Sequence, residues 1–233
     1  MCIKKLLFLT IIPLFFICGC KDEKDTKQTS TPEKTVLKDT LVVNKKQKEP
    51  FELTEENAID FFFDYQKDLK ENKIKITTNH GDFVIELFDN VPYHKANFIY
   101  LTRKGYFNNT QFHRVVKNFI IQGGNSDDEK TAAKRGKIGR YLLPPDTRKG
   151  YKHHRGTVSM PSSENDNPHK LASPYEFFIV VTDPGSYHLD KAYTAFGKVI
   201  SGMNVVDKIN QQPVGKGDWP QNNVNIEKVE VLE

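Results

Sequence analysis

Cysteine is scarce in this 233-residue chain, and the three that occur, Cys2, Cys18 and Cys20, all lie at the N-terminus. The rest of the chain therefore cannot hold a disulfide framework, a thiolate zinc site or a cysteine nucleophile. Histidines and carboxylates at metal-ligand spacing are also missing from the sequence. We expect a protein that works without a metal or other cofactor.

A strong excess of charge of one sign is lacking too. The chain has 34 basic and 30 acidic side chains, a net charge of +4, and two of those four charges come from Lys4 and Lys5 in a stretch without acidic residues. Basic and acidic side chains are thus nearly equal in number, and this gives no electrostatic reason to expect nucleic acid as a partner. The length indicates one ordinary domain with additional sequence, no internal repeat is visible, and we expect a monomer.

The N-terminus is the one long apolar run. Lys4 and Lys5 precede apolar residues from Leu6 to Cys18, a run too short to span a bilayer comfortably, which is typical of an export signal. The small residue before Cys20 and the abrupt change to charged residues after it resemble a bacterial lipoprotein cleavage site. We therefore expect residues 1–19 to be removed and Cys20 to carry lipid, with a plain signal peptide or an uncleaved anchor as the alternatives.

Localisation follows from this leader. The resemblance implies a lipid-anchored protein of the cell envelope, on the outer membrane and facing either the periplasm or the outer surface. The charged residues after Cys20 are similar to signals that send some lipoproteins to the surface. Residues 20–50 are mostly polar and charged, which is typical of a disordered tether.

Residues 51–72 predict an amphipathic helical segment. Thr54 is the expected N-cap, and Ala58, Ile59, Phe62 and Leu69 recur at helical spacing. Two interpretations are open. The helix covers part of the domain that follows, or it captures clients or a partner with its aromatic residues.

Residues 73–233 have the pattern of a mainly β domain. The runs 74–78 and 83–88 flank a turn and predict a hairpin, and further strands are expected near 111–116, 119–122, 155–160, 176–181, 193–200 and 224–232. Pro92 is expected to open one helix that stops at Gly105, and residues 202–211 a second. The stretch from Gly124 to about Gly150 reads as a polar loop. We expect a closed, antiparallel barrel capped by these two helices, with the segment 51–72 as an extra N-terminal helix.

The run from Phe112 to Gly124 is the most informative part of the chain. It reads Phe-His-Arg-Val-Val-Lys-Asn-Phe-Ile-Ile-Gln-Gly-Gly, two short strands around a tight turn. Arg114 and Gln122 are its polar exceptions. If the strands pair and Phe119 and Ile120 face one cleft, a guanidinium and an amide lie at the rim of an apolar pocket suited to a peptide.

This run resembles the signature of the cyclophilin-type peptidyl-prolyl isomerases, and other blocks in the family's order extend the resemblance over residues 73–233. They are Gly81 to Leu87, Asn97-Phe98, Gly156 to Met160, Glu176 to Ile179, Leu189-Asp190, Phe196 to Val199 and Gly202-Met203. The resemblance implies a cyclophilin-like barrel, isomerase activity on X-Pro bonds and proline-containing polypeptides as partners. Ser159 and Ser162 lack evident His and Asp partners, and His113 is read as structural because the reaction moves no proton.

The resemblance also implies site residues. It makes Arg114 the catalytic arginine and Gln122 the residue that binds the substrate backbone. The proline pocket is expected to be lined by Phe119, Ile120, Phe178 and Leu189. We further expect Met160 in the pocket wall, Pro161 beside the peptide path and Tyr193 as a further contact.

This sequence departs from the family at several of these places. Tyr193 stands where many members carry histidine, His188 where many carry tryptophan, Glu176 where glutamine is usual and Pro161 where alanine is common. If Glu176 pointed towards Arg114, it would pair with it and compete with the substrate. We expect an isomerase that assists the folding of exported proteins. The alternatives are a noncatalytic peptide-binding chaperone or surface scaffold on the same fold, or a protein whose working element is the segment 51–72.

Overall fold

The structure is a computed structural model that describes residues 51–162 and 167–233. The predicted leader, the predicted lipidation at Cys20 and the predicted tether 20–50 lie outside the described residues. Within the described part, no helix is both long and apolar enough to cross a bilayer.

The described residues contain four α-helices and eleven strands. The helices are α1 (Ala58–Tyr65), α2 (Pro92–Arg103), α3 (Glu129–Ile138) and α4 (Met203–Asn210). The strands are β1 (Leu53–Thr54), β2 (Lys73–Thr78), β3 (Gly81–Leu87), β4 (Thr110–Gln111), β5 (Arg114–Val116), β6 (Ile120–Gly123), β7 (Gly139–Arg140), β8 (Thr157–Met160), β9 (Phe177–Val180), β10 (Thr194–Ser201) and β11 (Asn225–Leu232). The predicted strands and both predicted capping helices of the region 73–233 are present.

Nine strands form one antiparallel sheet in the order β4-β11-β2-β3-β10-β8-β9-β6-β5. Register shifts in β10 and β11 bend the sheet, because an extra residue on one strand increases its local twist. The result is a curled half-barrel rather than the closed barrel that we expected.

The two edge strands, β4 and β5, do not pair with each other in the described part of the chain. One isolated bridge, between Gln111 and Asn125, lies near the gap. Beside that bridge, the amide of Gly124 donates a hydrogen bond to the carbonyl oxygen of Gln111 at 3.2 Å, and Gly124 has a φ of +99°. A Cβ atom there would lie 2.4 Å from the carbonyl oxygen of Tyr175, so this close approach requires glycine.

The main core lies inside the curled sheet and against α2. Phe98 of α2 stacks on Phe107 with ring centroids 4.7 Å apart and meets Phe177 edge-on at 5.4 Å. Burial continues from His94 through Thr102, so α2 is enclosed on most sides rather than amphipathic. Packing of α2 against residues such as Phe177 thus holds the strands in place on the inner face of the sheet.

A second, smaller apolar cluster lies on the other face of the sheet. Along β6 and β9, Ile121, Phe177 and Ile179 belong to the main core, whereas Ile120, Phe178 and Val180 belong to the second cluster. This alternation is what a strand with two covered faces requires, because successive side chains point to opposite sides. The outer cluster also contains Leu189, Val116, Phe119 and Tyr193.

The α-helix in the segment 51–72 is shorter than expected, because it comprises only Ala58–Tyr65. Thr54 is part of β1, which pairs in parallel with β7, and Asn57 rather than Thr54 occupies the N-cap position of α1. The side chain of Asn57 accepts a hydrogen bond from the Thr54 amide at 2.8 Å, which ends the strand before the helix begins. After Tyr65 the chain continues as a 3-10 helix, Gln66–Asp68.

This segment packs as part of the domain. Leu53, Ala58 and Phe62 are completely buried in the main core. Phe62 meets Tyr100 of α2 at 5.8 Å and Tyr141 at 5.7 Å. These contacts favour the interpretation that the segment covers the following domain.

Helix α3 was not expected, since residues 124–150 were predicted to be a loop. Asp128 caps it, with its carboxylate accepting from the Lys130 amide at 2.9 Å, and Gly139 ends it at a φ of +128°. The helix buries only Thr131 and Ile138 and carries a glycine at 136. It therefore lacks the apolar stripe by which a helix is recognised in a sequence.

Candidate functional site

The hairpin β5–β6 places the predicted catalytic residues. Arg114 lies directly opposite Gln122 in the antiparallel register, and Gln122 lies opposite Phe178 of β9. Paired residues share one face of a sheet, so the guanidinium, the amide and the aromatic ring are neighbours across three strands. The expected pairing of these two runs, with Phe119 and Ile120 facing one cleft, is confirmed.

Asn210, at the end of α4, holds the turn of this hairpin. Its side-chain oxygen accepts from the Asn118 amide at 2.8 Å, and its nitrogen donates to the carbonyl oxygens of Val116 at 2.9 Å and Ile120 at 3.2 Å. Asn210 is fully buried. Sequence reasoning missed this residue, because a single Asn at the end of a helix gives no signal of contacts 90 residues away.

The outer face carries a cavity of about 430 Å³. It is lined by Arg114, Phe119, Ile120, Gln122, Pro161, Ser162, Phe178, Leu189 and Tyr193. Every site residue predicted from the sequence except Met160 is in this set, and Ser162 is an addition. A cavity of this size with an apolar floor and a few polar groups fits a short peptide segment.

Met160 lies elsewhere. It is completely buried and belongs to the main core rather than to the outer cluster. On β8 its neighbour Ser159 pairs with Phe178 and so shares the cavity face, and the alternation of the strand then directs Met160 inward.

The aromatic walls of the cavity support one another. Tyr193 meets Phe178 edge-on, with ring centroids 5.7 Å apart, and the His188 ring stacks on Phe119 at 5.4 Å. Such contacts restrict ring rotation and keep an apolar surface in place. Of the two residues that differ from the usual ones of the family, Tyr193 thus lines the cavity, and His188 supports the cavity residue Phe119.

Arg114 has its guanidinium at the rim. Its side chain is 42% exposed, and its Nε atom lies 3.4 Å from Oδ2 of Asp218. Glu176, which would compete with the substrate if it pointed at Arg114, is engaged elsewhere. It accepts a hydrogen bond from Gln122 Nε2 at 2.8 Å and one from Asn125 Nδ2 at 3.2 Å.

The Glu176 carboxylate thereby fixes Gln122. A carboxylate only accepts hydrogen bonds, so the Gln122 amide must turn its nitrogen towards Glu176. Its oxygen and its second N–H are left for the cavity. His113 supports the same carboxylate, with Nε2 3.6 Å from Oε2, which agrees with a structural role for this histidine.

These contacts also set the ionisation of Glu176. Burial alone raises its pKa, but the interactions with His113 and Gln122 and the positive charge of Arg135 outweigh burial and lower the pKa below its ordinary value of 4.5. Glu176 is therefore charged at neutral pH. A charged carboxylate bonded to Gln122 is a feature that the sequence alone left undecided.

We expect this ionisation to stabilise the fold in a pH-dependent way. Because the folded pKa is depressed, the contribution is present above about pH 4.5 and is lost as the pH falls through the folded pKa. Thermal unfolding between pH 7 and pH 3 should show a smaller acid-induced drop in Tm for Glu176→Gln than for the wild type. The control is Glu227→Gln, at an exposed position of β11. If the Glu176→Gln and wild-type curves run parallel, the carboxylate makes no such contribution.

Ser159 has partners that the sequence did not reveal. Its hydroxyl lies 2.8 Å from Nε2 of His153, whose Nδ1 lies 2.8 Å from Oδ1 of Asp190. The arrangement resembles a hydrolase triad, but Ser159 and His153 are both completely buried, so no substrate reaches the hydroxyl. The network instead ties β8 to the turn that carries Leu189.

Comparison with known proteins gives consistent matches. Residues 73–231 match the sequence profile of the family described as "Cyclophilin type peptidyl-prolyl cis-trans isomerase/CLD". Among curated proteins, peptidyl-prolyl cis-trans isomerase B of Escherichia coli (strain K12) is 36% identical over 167 residues, which are 67% of this chain and 97% of that protein. Peptidyl-prolyl cis-trans isomerase CYP18-1 of Arabidopsis thaliana is 37% identical, over 68% of this chain and 94% of that protein.

Other relatives are longer. Peptidyl-prolyl cis-trans isomerase-like 2 of Rhizopus delemar is 35% identical over 73% of this chain, but the match spans only 31% of that protein. Among solved structures, a cyclophilin type peptidyl-prolyl cis-trans isomerase of Cryptosporidium parvum has a TM-score of 0.59 and 30% identity, and covers 70% of this chain and 98% of its own. The same protein crystallised in the presence of the dipeptide Ala-Pro gives a TM-score of 0.58.

Proposed function

Since the chain belongs to the cyclophilin-type peptidyl-prolyl cis-trans isomerases, an enzyme family, we propose that it accelerates the rotation of X-Pro bonds in the cavity around Phe178, with Arg114 as the catalytic residue. The observation that carries the proposal is the convergence of eight of the nine sequence-predicted residues on this one cavity.

The reaction needs no nucleophile. An X-Pro bond rotates slowly because rotation breaks the partial double bond between carbon and nitrogen, at a cost of about 18–20 kcal/mol. In the twisted transition state the prolyl nitrogen regains a lone pair. A donor aimed at that nitrogen stabilises the transition state more than the planar ground state. Arg114 supplies such a donor, because the guanidinium group of arginine carries five N–H donors.

Arg114 alone is not enough. Turnover in milliseconds requires an acceleration of about ten-thousandfold or more, equivalent to about 5–7 kcal/mol. One charge-assisted hydrogen bond contributes about 1.5–3 kcal/mol net. The apolar residues must supply the remainder by holding the proline ring and excluding water, which strengthens the electrostatic interaction. The cavity is lined beside Arg114 by Phe119, Phe178 and Leu189, which can hold the proline ring while Arg114 donates the hydrogen bond.

An exchange experiment tests this proposal. The cis and trans forms of a short X-Pro peptide are followed by NMR exchange spectroscopy with and without the purified protein, with an X-Ala peptide as the control for binding. We expect catalysed exchange of the X-Pro peptide. Binding without acceleration would instead support the noncatalytic chaperone or scaffold.

We further propose that the isomerase assists the folding of exported proteins from a lipid anchor at Cys20. The support is the sequence alone: Lys4 and Lys5, the apolar run and the abrupt change in composition after Cys20. Its clients are then unfolded segments or loops of envelope proteins that contain proline.

The anchor predicts a specific behaviour in fractionated cells. Cys20→Ser removes the thiol that would carry lipid, so the protein should shift from the membrane to the soluble fraction, and its N-terminal peptide should lack the mass of the acyl chains. Cys2→Ser, inside the stretch that is removed, serves as the control and should leave the distribution unchanged. Retention of Cys20→Ser in the membrane would show that an uncleaved leader holds the protein there.

A further inference from the structure

The loop 213–221 rests against the catalytic edge of the site. Its ends are joined by hydrogen bonds from the Gln221 amide to the Pro213 carbonyl and from the Gly215 amide to the Trp219 carbonyl, both at 2.8 Å. These bonds close the loop on itself and bring Asp218 and Trp219 against β5 and the residue before it.

Two contacts join the loop to the site. Oδ2 of Asp218 lies 3.4 Å from Nε of Arg114, and the Trp219 ring lies 6.0 Å from the ring of His113. His113 in turn contacts Glu176, which holds Gln122. The loop therefore supports both polar members of the site, and its contact with Arg114 is direct.

The side of the guanidinium that faces Asp218 decides which of its N–H groups remain available to a ligand. Arginine has five N–H groups in a planar fork, and the carboxylate lies next to Nε, at the inner end of the fork. The terminal nitrogens point further along the side chain and have no ion-pair partner in residues 51–162 and 167–233. The ion pair at Nε draws the inner end of the fork towards the loop and leaves its outer donors for a ligand.

The conformation of Asp218 favours a dedicated role. Its φ is +62°, a left-handed value that costs most side chains free energy and that Asp and Asn tolerate best. Glycine, which is free of this cost, precedes it at 217. The loop thus holds a carboxylate where a glycine would be the easier residue.

We propose that Asp218 is a positioning residue that orients the Arg114 guanidinium towards the prolyl nitrogen, a role that rests on the proposed isomerase function. The Arg114 side chain is 42% exposed and has many rotamers, so an unrestrained guanidinium spends part of its time away from the substrate. A restraint that selects the productive rotamer raises the rate of the chemical step without adding a contact to the substrate.

The test uses the full chain and two variants that tolerate the left-handed backbone, Asp218→Asn and Asp218→Gly. We expect kcat for an X-Pro peptide to fall by about three- to tenfold in both, with KM changed by less than about twofold. In the Arg114→Ala background the same changes should alter the residual rate by less than about 1.5-fold, because Asp218 acts through Arg114. Glu227→Gln controls for the loss of one negative charge.

Equal effects of Asp218→Asn in the two backgrounds, or no effect in either, would overturn the proposal. A second measurement does not depend on activity. The nitrogen-15 relaxation of Arg114 Nε should show a less mobile guanidinium in the wild type than in Asp218→Asn. Equal mobilities would exclude the restraint, whereas a restrained wild-type guanidinium in a protein that fails to accelerate X-Pro exchange would contradict the proposed function and leave the restraint established.

Discussion

Replacing Arg114 by alanine is expected to lower kcat/KM for an X-Pro peptide by about 10- to 150-fold, which corresponds to the loss of one charge-assisted hydrogen bond of about 1.5–3 kcal/mol in the transition state. Arg114 lies opposite Gln122 at the rim of the cavity and does not belong to the apolar floor. Peptide binding should therefore change little, and the loss should appear mainly in kcat. Exchange spectroscopy for the rate, and titration of the same peptide for its affinity, measure the two quantities separately.

Matched substitutions make this result specific. Arg114→Lys keeps the positive charge but loses the planar fork, so we expect an intermediate rate. Arg148→Ala, at an exposed position of a 3-10 helix, removes an arginine that does not line the cavity and should leave the rate unchanged. If Arg114→Ala retained the wild-type rate together with peptide affinity, the apolar pocket alone would be responsible for any acceleration.

Much of the site could be predicted because its residues lie in short, continuous blocks. Arg114 and Gln122 belong to one hairpin, and the tight turn between its two strands is legible in the sequence. Once β6 pairs with β9, Phe178 must lie beside Gln122. The resemblance to the family supplied the roles, and local strand geometry supplied the positions.

The contacts that hold the site in place could not be predicted in the same way. Asn210, Asp218 and the network of His153 reach the site from other parts of the chain through single polar side chains. A lone polar residue in a loop or at a helix end has no periodicity from which its partner can be deduced. Glu176 shows the same limit, because its sequence position left open whether it would face Arg114 or Gln122.

Elements with a strong hydrophobic pattern could be predicted from the sequence, whereas elements with a weak pattern could not. The alternation in β2 and β3 predicts their hairpin, and Pro92 marks the start of α2. Helix α3 has no apolar stripe, and no sequence pattern indicated that the edge strands β4 and β5 of the described sheet would not pair with each other. The extent of α1 was overestimated because Leu69 continues the helical spacing, although the chain after Tyr65 forms a 3-10 helix.

Replacing Phe62 by alanine should destabilise the protein by about 3–5 kcal/mol, the usual cost of removing a large buried aromatic side chain. Phe62 is completely buried among Phe61, Tyr100 and Tyr141, which belong to three different parts of the chain. Because residues 51–72 precede the region that matches the family, this result would show that the segment is an integral part of the fold. Denaturation by urea, followed by fluorescence and circular dichroism, gives the free energy of unfolding.

The next residue along the helix provides the control. Phe63 is 50% exposed and contacts the Lys67 ammonium at 4.4 Å, so Phe63→Ala should cost no more than about 0.5–1 kcal/mol. Isomerase turnover by the folded fraction of Phe62→Ala should stay near that of the wild type, since Phe62 does not line the cavity. Equal, small losses of stability in both variants would mean that the segment packs only loosely. Its exposed aromatic residues would then be the better candidates for capturing a client or partner, because a segment that contributes little to the core is free to bind elsewhere.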